Sequence, residues 1–209
     1  MGRINNNLVG VSWMLAFTFL AACNNVLFKY IGSGIHPFVL TFFVAVFSTL
    51  ICLPLLIIYG KVVFVPKRFW LLFVRGALNA LATLTIYFSL MAIPVATATS
   101  LTFVTPVLAV ILAAIILKEK VGWRRWTAVL IGFAGVLIIL RPGMQPVELG
   151  HISVLVAALA FSFIFVLLRQ LGKFDSIPTI TIYLGLFMVP LTLVPALFYW
   201  SWPTMSELL

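Results

Sequence analysis

The chain has 209 residues, of which 64% are hydrophobic and only 8% are charged. Soluble domains carry roughly 45–50% apolar and ~25% charged residues, and a soluble fold of this size has no interior large enough for so much apolar surface. The composition excludes a soluble enzyme, a secreted domain and a disordered chain, and it predicts a polytopic membrane protein. The net charge of +9 is therefore interpreted by position along the chain, as a sign of membrane orientation.

Uncharged stretches divide the chain into candidate spans. A helix needs about 20 apolar residues to cross ~30 Å of hydrocarbon. The uncharged stretch 76–117 is long enough for two helices, and Pro94 is the natural break between them. The sequence thus predicts an all-α integral membrane bundle of seven transmembrane helices, over residues 8–28, 38–59, 70–91, 95–117, 124–140, 150–169 and 178–200.

The basic residues are distributed unevenly between the two sides of this bundle. Ten of them fall in the N-terminal segment and in the second, fourth and sixth loops: Arg3, Lys61, Lys67, Arg68, Lys118, Lys120, Arg124, Arg125, Arg169 and Lys173. The opposite side has only Lys29 and Arg141. Because basic residues mark the cytoplasmic side of membrane proteins, the N-terminus is predicted to be cytoplasmic.

The two cysteines lie inside apolar runs, which is typical of small buried hydrophobic residues and not of a disulfide or metal pair. Cys23 follows Leu20-Ala21-Ala22, a sequence that also fits a lipoprotein cleavage box. A single arginine precedes this stretch and six further spans follow it, which favours an uncleaved first helix.

The end of the chain resembles its beginning. Offsets of 140 and 141 residues superpose Gly10 on Gly150, Lys29 on Arg169, Gly32 on Gly172, Pro37 on Pro178 and Pro54 on Pro195. A repeat unit of this length holds five helices, and an odd number of helices makes the second unit enter the membrane from the opposite side, as in many secondary transporters. We therefore predict a complete first domain over 8–143 and the first two helices of an inverted second domain over 149–209.

Several runs in the first domain resemble a known family. They are Val74-Arg75-Gly76-Ala77-Leu78, Tyr87-Phe88-Ser89-Leu90-Met91-Ala92-Ile93-Pro94, Thr105-Pro106-Val107, Leu117-Lys118-Glu119-Lys120 and the closing Gly132-Phe133-Ala134-Gly135 through Arg141-Pro142-Gly143. Together they resemble the EamA domain of the drug/metabolite transporter superfamily, and most of all its S-adenosylmethionine-uptake and riboflavin-type branch.

The resemblance implies ten helices in two inverted five-helix domains around a central cavity, with alternating access and a small metabolite as substrate. One departure is visible. Relatives often carry an arginine after a Phe-Phe pair in the second helix, whereas Phe42-Phe43 is followed here by Val44. Any role of that arginine is missing from this chain.

Polar side chains within the spans are the candidates for substrate binding, because carriers bind polar ligands near the membrane midplane. These candidates are Asn24, Lys29, Arg75, Asn79, Thr83, Tyr87 and Thr102. Four of them, from Arg75 to Tyr87, recur every fourth residue and form a polar stripe along one side of the third helix. Such a stripe faces either a cavity or a neighbouring helix, and the spacing does not distinguish the two.

Other residues have simpler interpretations that stay open. Lys29 either extends to the outer membrane surface or attracts an anionic group, and Arg75 either joins the cytoplasmic charges or faces the cavity. His36 and His151 are expected to be solvated residues of outer loops. Gly132 is expected to belong to a small-residue face for close helix packing.

The sequence contains no phosphate-binding loop, zinc-ligand spacing or catalytic triad, so we predict no enzyme, no cofactor and no metal site. No Asp or Glu lies inside a predicted span. We predict a secondary transporter that moves a small polar metabolite across the bacterial inner membrane. The alternative is a truncated, non-transporting membrane protein or accessory subunit that acts through helix association. The expected partners are the small-molecule substrate and the lipid bilayer, with a homodimer or further C-terminal helices completing the bundle, and no nucleic acid.

Overall fold

A computed structural model describes residues 2–31, 35–60, 65–118, 122–140 and 148–200. All regular secondary structure in these ranges is helical, which confirms the predicted all-α fold. The helices are α1 (Gly2–Ile31), α2 (Pro37–Cys52), α3 (Pro54–Tyr59), α4 (Phe69–Ala92), α5 (Val95–Thr102), α6 (Val104–Ile116), α7 (Trp123–Leu140), α8 (Leu149–Leu171) and α9 (Ile177–Phe198). Lys61, Lys120, Arg141 and the segment 201–209, which enter the predictions above, lie outside the described residues.

Six of the predicted spans are long and apolar enough to cross a membrane. They are Leu8–Lys29, Pro37–Tyr59, Phe69–Ala92, Val95–Ile116, Leu149–Leu171 and Ile177–Phe198. The remaining predicted span corresponds to α7, whose apolar part, Trp126–Gly135, is shorter than a full crossing. The predicted helix boundaries agree with the observed ones within a few residues, except at the start of α1.

Three interruptions of the long helices lie beside a proline, although α9 continues through Pro190 and Pro195. The predicted break at Pro94 separates α4 from α5. Two further predicted helices are each divided by one residue, at Leu53 before Pro54 and at Phe103 before Pro106. Proline has no N–H to continue the helical ladder, and its ring crowds the carbonyl four residues earlier. Leu53 and Phe103 keep helical dihedral angles, so each pair of segments still forms one span.

Capping side chains begin two of the spans. The His36 Nδ1 atom accepts a hydrogen bond from the Phe38 N–H at 3.4 Å, and the Ser176 hydroxyl accepts one from the Thr179 N–H at 3.4 Å. Both satisfy first-turn N–H groups that have no partner inside the helix. His36 is therefore a capping residue as well as a loop residue. His151 acts similarly at the start of α8, where its Nδ1 atom accepts from the Glu148 N–H at 3.2 Å.

Close packing around α4 holds the bundle together. This helix packs against α8 and α9, while α2 packs against α9 and α6 packs against α8. Glycine residues allow α4 to approach α9 closely, and α7 to approach α6. A Cβ atom added to Gly76 would lie 2.6 Å from the Phe187 Cβ atom, and one added to Gly132 would lie 2.7 Å from a Val107 methyl group. Helices in lipid associate through such van der Waals contact, since lipid tails provide no hydrophobic driving force between them.

The outer surface is apolar over much of its area. Trp13 and Phe17 on α1 are 74% and 73% exposed, and Phe198 at the end of α9 is 82% exposed. A soluble protein rarely leaves so many large apolar side chains in contact with water. Their exposure fits a surface that contacts lipid.

Candidate functional site

The predicted polar stripe on α4 lies inside the helix bundle. Arg75, Thr83 and Tyr87 are each at most 9% exposed, and Asn79 is half-buried. Because α4 packs against α8 and α9, polar side chains on this side of the helix contact protein instead of lipid. The structure thus places all four residues of the stripe in protected positions.

Arg75 connects α4 to α9. Its Nη1 atom donates a hydrogen bond of 2.8 Å to the main-chain carbonyl oxygen of Ile180, and its Nε atom has no hydrogen-bond partner among the described residues. A buried guanidinium has five N–H donors to satisfy. This side chain therefore retains donor capacity inside the bundle.

The next two residues of the stripe use their polar groups differently. The Asn79 side-chain N–H donates to the Met188 sulfur at 3.4 Å, which gives a second polar contact between α4 and α9. The Thr83 hydroxyl donates to the Asn79 carbonyl oxygen of its own helix at 2.7 Å. Thr83 thus has the local bonding that is common for threonine in membrane helices.

Tyr87 joins the stripe to α1. Its hydroxyl donates to the Asn24 Oδ1 atom at 3.2 Å, and its ring stacks on Phe28 with centroids 3.6 Å apart. Phe28 and Tyr87 are almost fully buried, whereas Asn24 stays exposed. The buried aromatic pair therefore holds the exposed Asn24 side chain through one hydrogen bond.

Lys29 lies at the same end of the bundle. Its Nζ atom donates to the Ile93 carbonyl oxygen at 2.9 Å, so its ammonium group binds the main chain just after the last residue of α4. A cation at this position interacts favourably with the negative end of the helix dipole. The sequence left two interpretations of Lys29 open, and this bond to the main chain is a third role.

Thr102 lies apart from these clusters. It is the last residue of α5, and its hydroxyl donates to the Thr99 carbonyl oxygen at 2.6 Å. Nearby, the Thr105 carbonyl oxygen accepts a hydrogen bond of 2.8 Å from the Ser162 hydroxyl on α8. This bond attaches the first turn of α6 to α8, through Ser162, a residue that the sequence did not single out.

The candidates form two groups rather than one pocket. Asn24, Lys29 and Tyr87 lie where α1 and α4 end, a region that we call the far end. Arg75 and Asn79 lie against α9, and twelve residues of helix place Arg75 about 18 Å from Tyr87. An extended ligand of that length is needed to contact both groups at once.

The bundle also contains a buried carboxylate that was not predicted from the sequence. Asp175, between α8 and α9, is only 8% exposed, and its Oδ1 atom accepts the Lys67 main-chain N–H at 2.7 Å. The sequence offered one signal, which is an acidic residue close after Lys173 in a chain with few acids. Its burial was not predictable, because it depends on the approach of the loop before α4.

A small cavity lies between α2 and α9. Its volume is about 80 Å³, and its lining includes Ala45, Thr49, Cys52, Thr181, Gly185 and Met188. Nearly all of the lining is apolar. No sequence motif pointed to this place, and Met188 links it to the Asn79 contact described above.

His36 lies just before α2 at the far end of the bundle, and it contacts Tyr199, which follows α9. Its ring stacks on Tyr199, with centroids 4.0 Å apart and planes 5° from parallel. Partial burial lowers the pKa of His36 below its usual value, because desolvation disfavours the charged ring. The neutral ring also supplies the Nδ1 acceptor that caps α2.

We expect this histidine to make the folded protein less stable in mild acid. As the pH falls below about 6.5, the unfolded chain takes up a proton before the folded chain does. The stability due to His36 is therefore complete above that pH and is lost on approach to the lowered folded pKa. Thermal unfolding in detergent at pH 7.5 and pH 5.0 measures it. His36→Asn replaces the capping nitrogen with a capping oxygen that does not titrate, and it should reduce the pH dependence; an unchanged dependence would contradict this role.

The fold and these contacts define a class of protein. A multi-pass helical membrane protein with polar side chains held between its spans has the features of a small-molecule transporter. A model of the EamA-like transporter family matches residues 8–141. The chain belongs to this family, and it is a non-enzymatic membrane transporter of small metabolites.

Curated relatives of this chain include bacterial transporters and a human solute carrier. The chain is 28% identical to an S-adenosylmethionine uptake transporter of Rickettsia bellii, over 96% of this chain and 69% of that protein. It is 33% identical to a riboflavin transporter of Vibrio cholerae, over 53% of this chain and 37% of that protein. It is also 32% identical to human solute carrier family 35 member G1, over 93% of this chain and 58% of that protein.

Proposed function

We propose that the protein moves a small polar metabolite of the S-adenosylmethionine type across the bacterial inner membrane by alternating access. The observation that carries this proposal is the similarity to S-adenosylmethionine uptake transporters along almost the whole chain, in Rickettsia bellii and again in Rickettsia prowazekii at 29% identity. A riboflavin-type cargo is the first competitor, since a riboflavin transporter matches about half of the chain.

The two polar groups of the bundle support a cargo of this chemistry. An asparagine amide offers a donor and an acceptor side by side, which suits the edge of an adenine ring. Asn24 is exposed and is held by Tyr87, so it is placed to make such a contact. Arg75 has donors to spare for a carboxylate at the other end of an extended ligand.

The inverted-repeat organisation supports alternating access. We take 8–143 as the first domain and 149–209 as the beginning of the second. In the described residues, α8 and α9 of the second domain pack against α2, α4 and α6 of the first. Rocking of two such units around a site between them is the common mechanism of transporters built from repeats. A homodimer is the remaining part of this proposal, and light scattering on the purified protein tests it.

Uptake of labelled S-adenosylmethionine into proteoliposomes tests the cargo. Wild-type protein should give saturable uptake that unlabelled S-adenosylmethionine abolishes and riboflavin does not. Asn24→Ala removes the amide, and we expect kcat/KM to fall about tenfold, the effect of one lost hydrogen bond to a charged or polar partner. Asn25→Ala, at the neighbouring and less exposed position, is the matched control and should retain uptake.

Two results would contradict the proposal. Uptake of riboflavin alone would reject the cargo and keep the transport function. Folded protein that accumulates neither compound would favour the other hypothesis, a membrane protein that acts through helix association. Circular dichroism of the same samples shows whether each variant is folded.

A further inference from the structure

Asp175 lies where the two proposed domains meet. We call this region the basic end, because α4 and α9 both begin here, with Lys67 and Arg68 just before α4 and Arg169 and Lys173 shortly before Asp175. Asp175 belongs to the connection between α8 and α9, whereas its partner Lys67 belongs to the segment before α4. Their 2.7 Å hydrogen bond therefore joins the second domain to the first.

Two further contacts cross the same boundary nearby. The Arg68 guanidinium lies 4.7 Å from the centre of the Phe174 ring. Deeper in the bundle, Arg75 donates to the Ile180 carbonyl oxygen at 2.8 Å. Three positions of the α8–α9 hairpin, Phe174, Asp175 and Ile180, are thus attached to α4 and its preceding segment, and together they close the basic end.

The Asp175 carboxylate is only partly satisfied in this closed arrangement. Its Oδ2 atom is buried and has no hydrogen-bond partner among the described residues. An unpaired buried oxygen is costly, and contact with water relieves that cost. Asp175 therefore stabilises the closed basic end through the charge-assisted hydrogen bond of one oxygen and destabilises it through the unpaired other oxygen. Under alternating access, the Asp175–Lys67 contact breaks and re-forms in every transport cycle. This requires a contact whose closed and open states are close in free energy.

From these contacts we propose that Asp175 is the gating residue of the basic end, and that its bond to the Lys67 main chain holds that end closed. The inference rests on the alternating-access mechanism proposed above. The carboxylate acts on the conformational equilibrium and does not contact the cargo. Loss of its negative oxygen shifts the population toward a state that is open at the basic end and closed at the far end.

Cysteine labelling in lipid nanodiscs tests this gate, since a water-soluble maleimide then reaches both ends. The background is Cys23→Ala with Cys52→Ala. Ile180→Cys reports on the basic end, where Ile180 is 5% exposed, and Val39→Cys reports on the far end, where Val39 is fully buried. With Asp175→Ala, we expect labelling at Ile180→Cys to become about tenfold faster, as for loss of one charge-assisted hydrogen bond. Labelling at Val39→Cys should not become faster.

Three further variants test whether the effect is due to the Asp175 carboxylate and its bond to the Lys67 main chain. Asp175→Asn keeps an acceptor oxygen without the charge, and it should increase labelling by a smaller factor, about threefold. Lys67→Ala should change nothing, because the bond uses the main-chain N–H of that residue. Glu148→Gln removes the only other acidic charge in the described residues, from the exposed start of α8, and should also leave labelling unchanged.

Each outcome decides the question. Faster labelling at Ile180→Cys alone supports the gate. Unchanged labelling there, or faster labelling at both reporters, overturns it, because the second result shows general loosening of the fold. Labelling needs no cargo, so a gate that responds while S-adenosylmethionine uptake is absent separates this inference from the proposed cargo.

Discussion

Gly76→Ala will destabilise the folded protein, although alanine favours helices more than glycine does. The added Cβ atom would lie 2.6 Å from the Phe187 Cβ atom, which is fixed to the α9 main chain and has no rotamer by which to move away. The helices α4 and α9 must therefore separate locally. Forced overpacking of this kind costs about 1–3 kcal/mol. The thermal unfolding midpoint in detergent, followed by circular dichroism, should fall, and Gly76→Leu should yield little folded protein.

Gly135→Ala is the matched control for this prediction. Gly135 also lies within a helix, but a Cβ atom added there meets nothing within 4 Å. Both substitutions gain the same helix propensity, about 1 kcal/mol. The difference between the two variants therefore isolates the clash with Phe187. Equal midpoints would show that α4 and α9 are not packed at this distance.

Arg75→Met will abolish transport while leaving the fold intact. The Ile180 carbonyl oxygen, which accepts the Arg75 hydrogen bond, lies inside α9 and retains the acceptor role that any helix carbonyl has toward the residue four positions later. Removal of the guanidinium thus leaves no orphaned partner, and replacement of a buried charge by an apolar chain of similar length is often neutral or stabilising. We expect the thermal midpoint to be unchanged or higher, and uptake to fall at least about 100-fold, as when a charged anchor is lost.

Arg75→Lys distinguishes two roles of the guanidinium in that experiment. Lysine keeps the positive charge but lacks the planar fork that binds a carboxylate in two places. Partial uptake with a raised KM would therefore indicate an anion anchor. Full uptake in Arg75→Met together with a lower midpoint would show instead that Arg75 serves only to attach α4 to α9.

Local features of the sequence were sufficient for several parts of the fold. The break at Pro94 was predicted and is observed, because proline acts on its own helix and needs no distant partner. The interruptions beside Pro54 and Pro106 were not predicted, and α9 continues through Pro190 and Pro195. Polar spacing likewise placed Arg75 and Tyr87 on one side of a helix, since the period of a helix depends only on the chain itself.

Contacts between distant segments were not predictable in the same way. The polar stripe was consistent with either a cavity or a neighbouring helix, and only the packed bundle shows that Arg75 meets Ile180 and that Tyr87 meets Asn24. Asp175 was overlooked for a related reason. It lies outside every span, so hydropathy treated it as a loop residue.

The sequence by itself determined that this protein is a helical membrane transporter, because composition, hydropathy and family motifs are properties of the chain and are independent of its folding. The tertiary structure alone decided which polar groups are paired, which carboxylate is buried and which donors remain available. Those properties depend on the approach of segments about a hundred residues apart, such as Lys67 and Asp175. Burial and hydrogen bonding arise only when such segments meet, and for this reason the candidate gate is visible in the structure and hidden in the sequence.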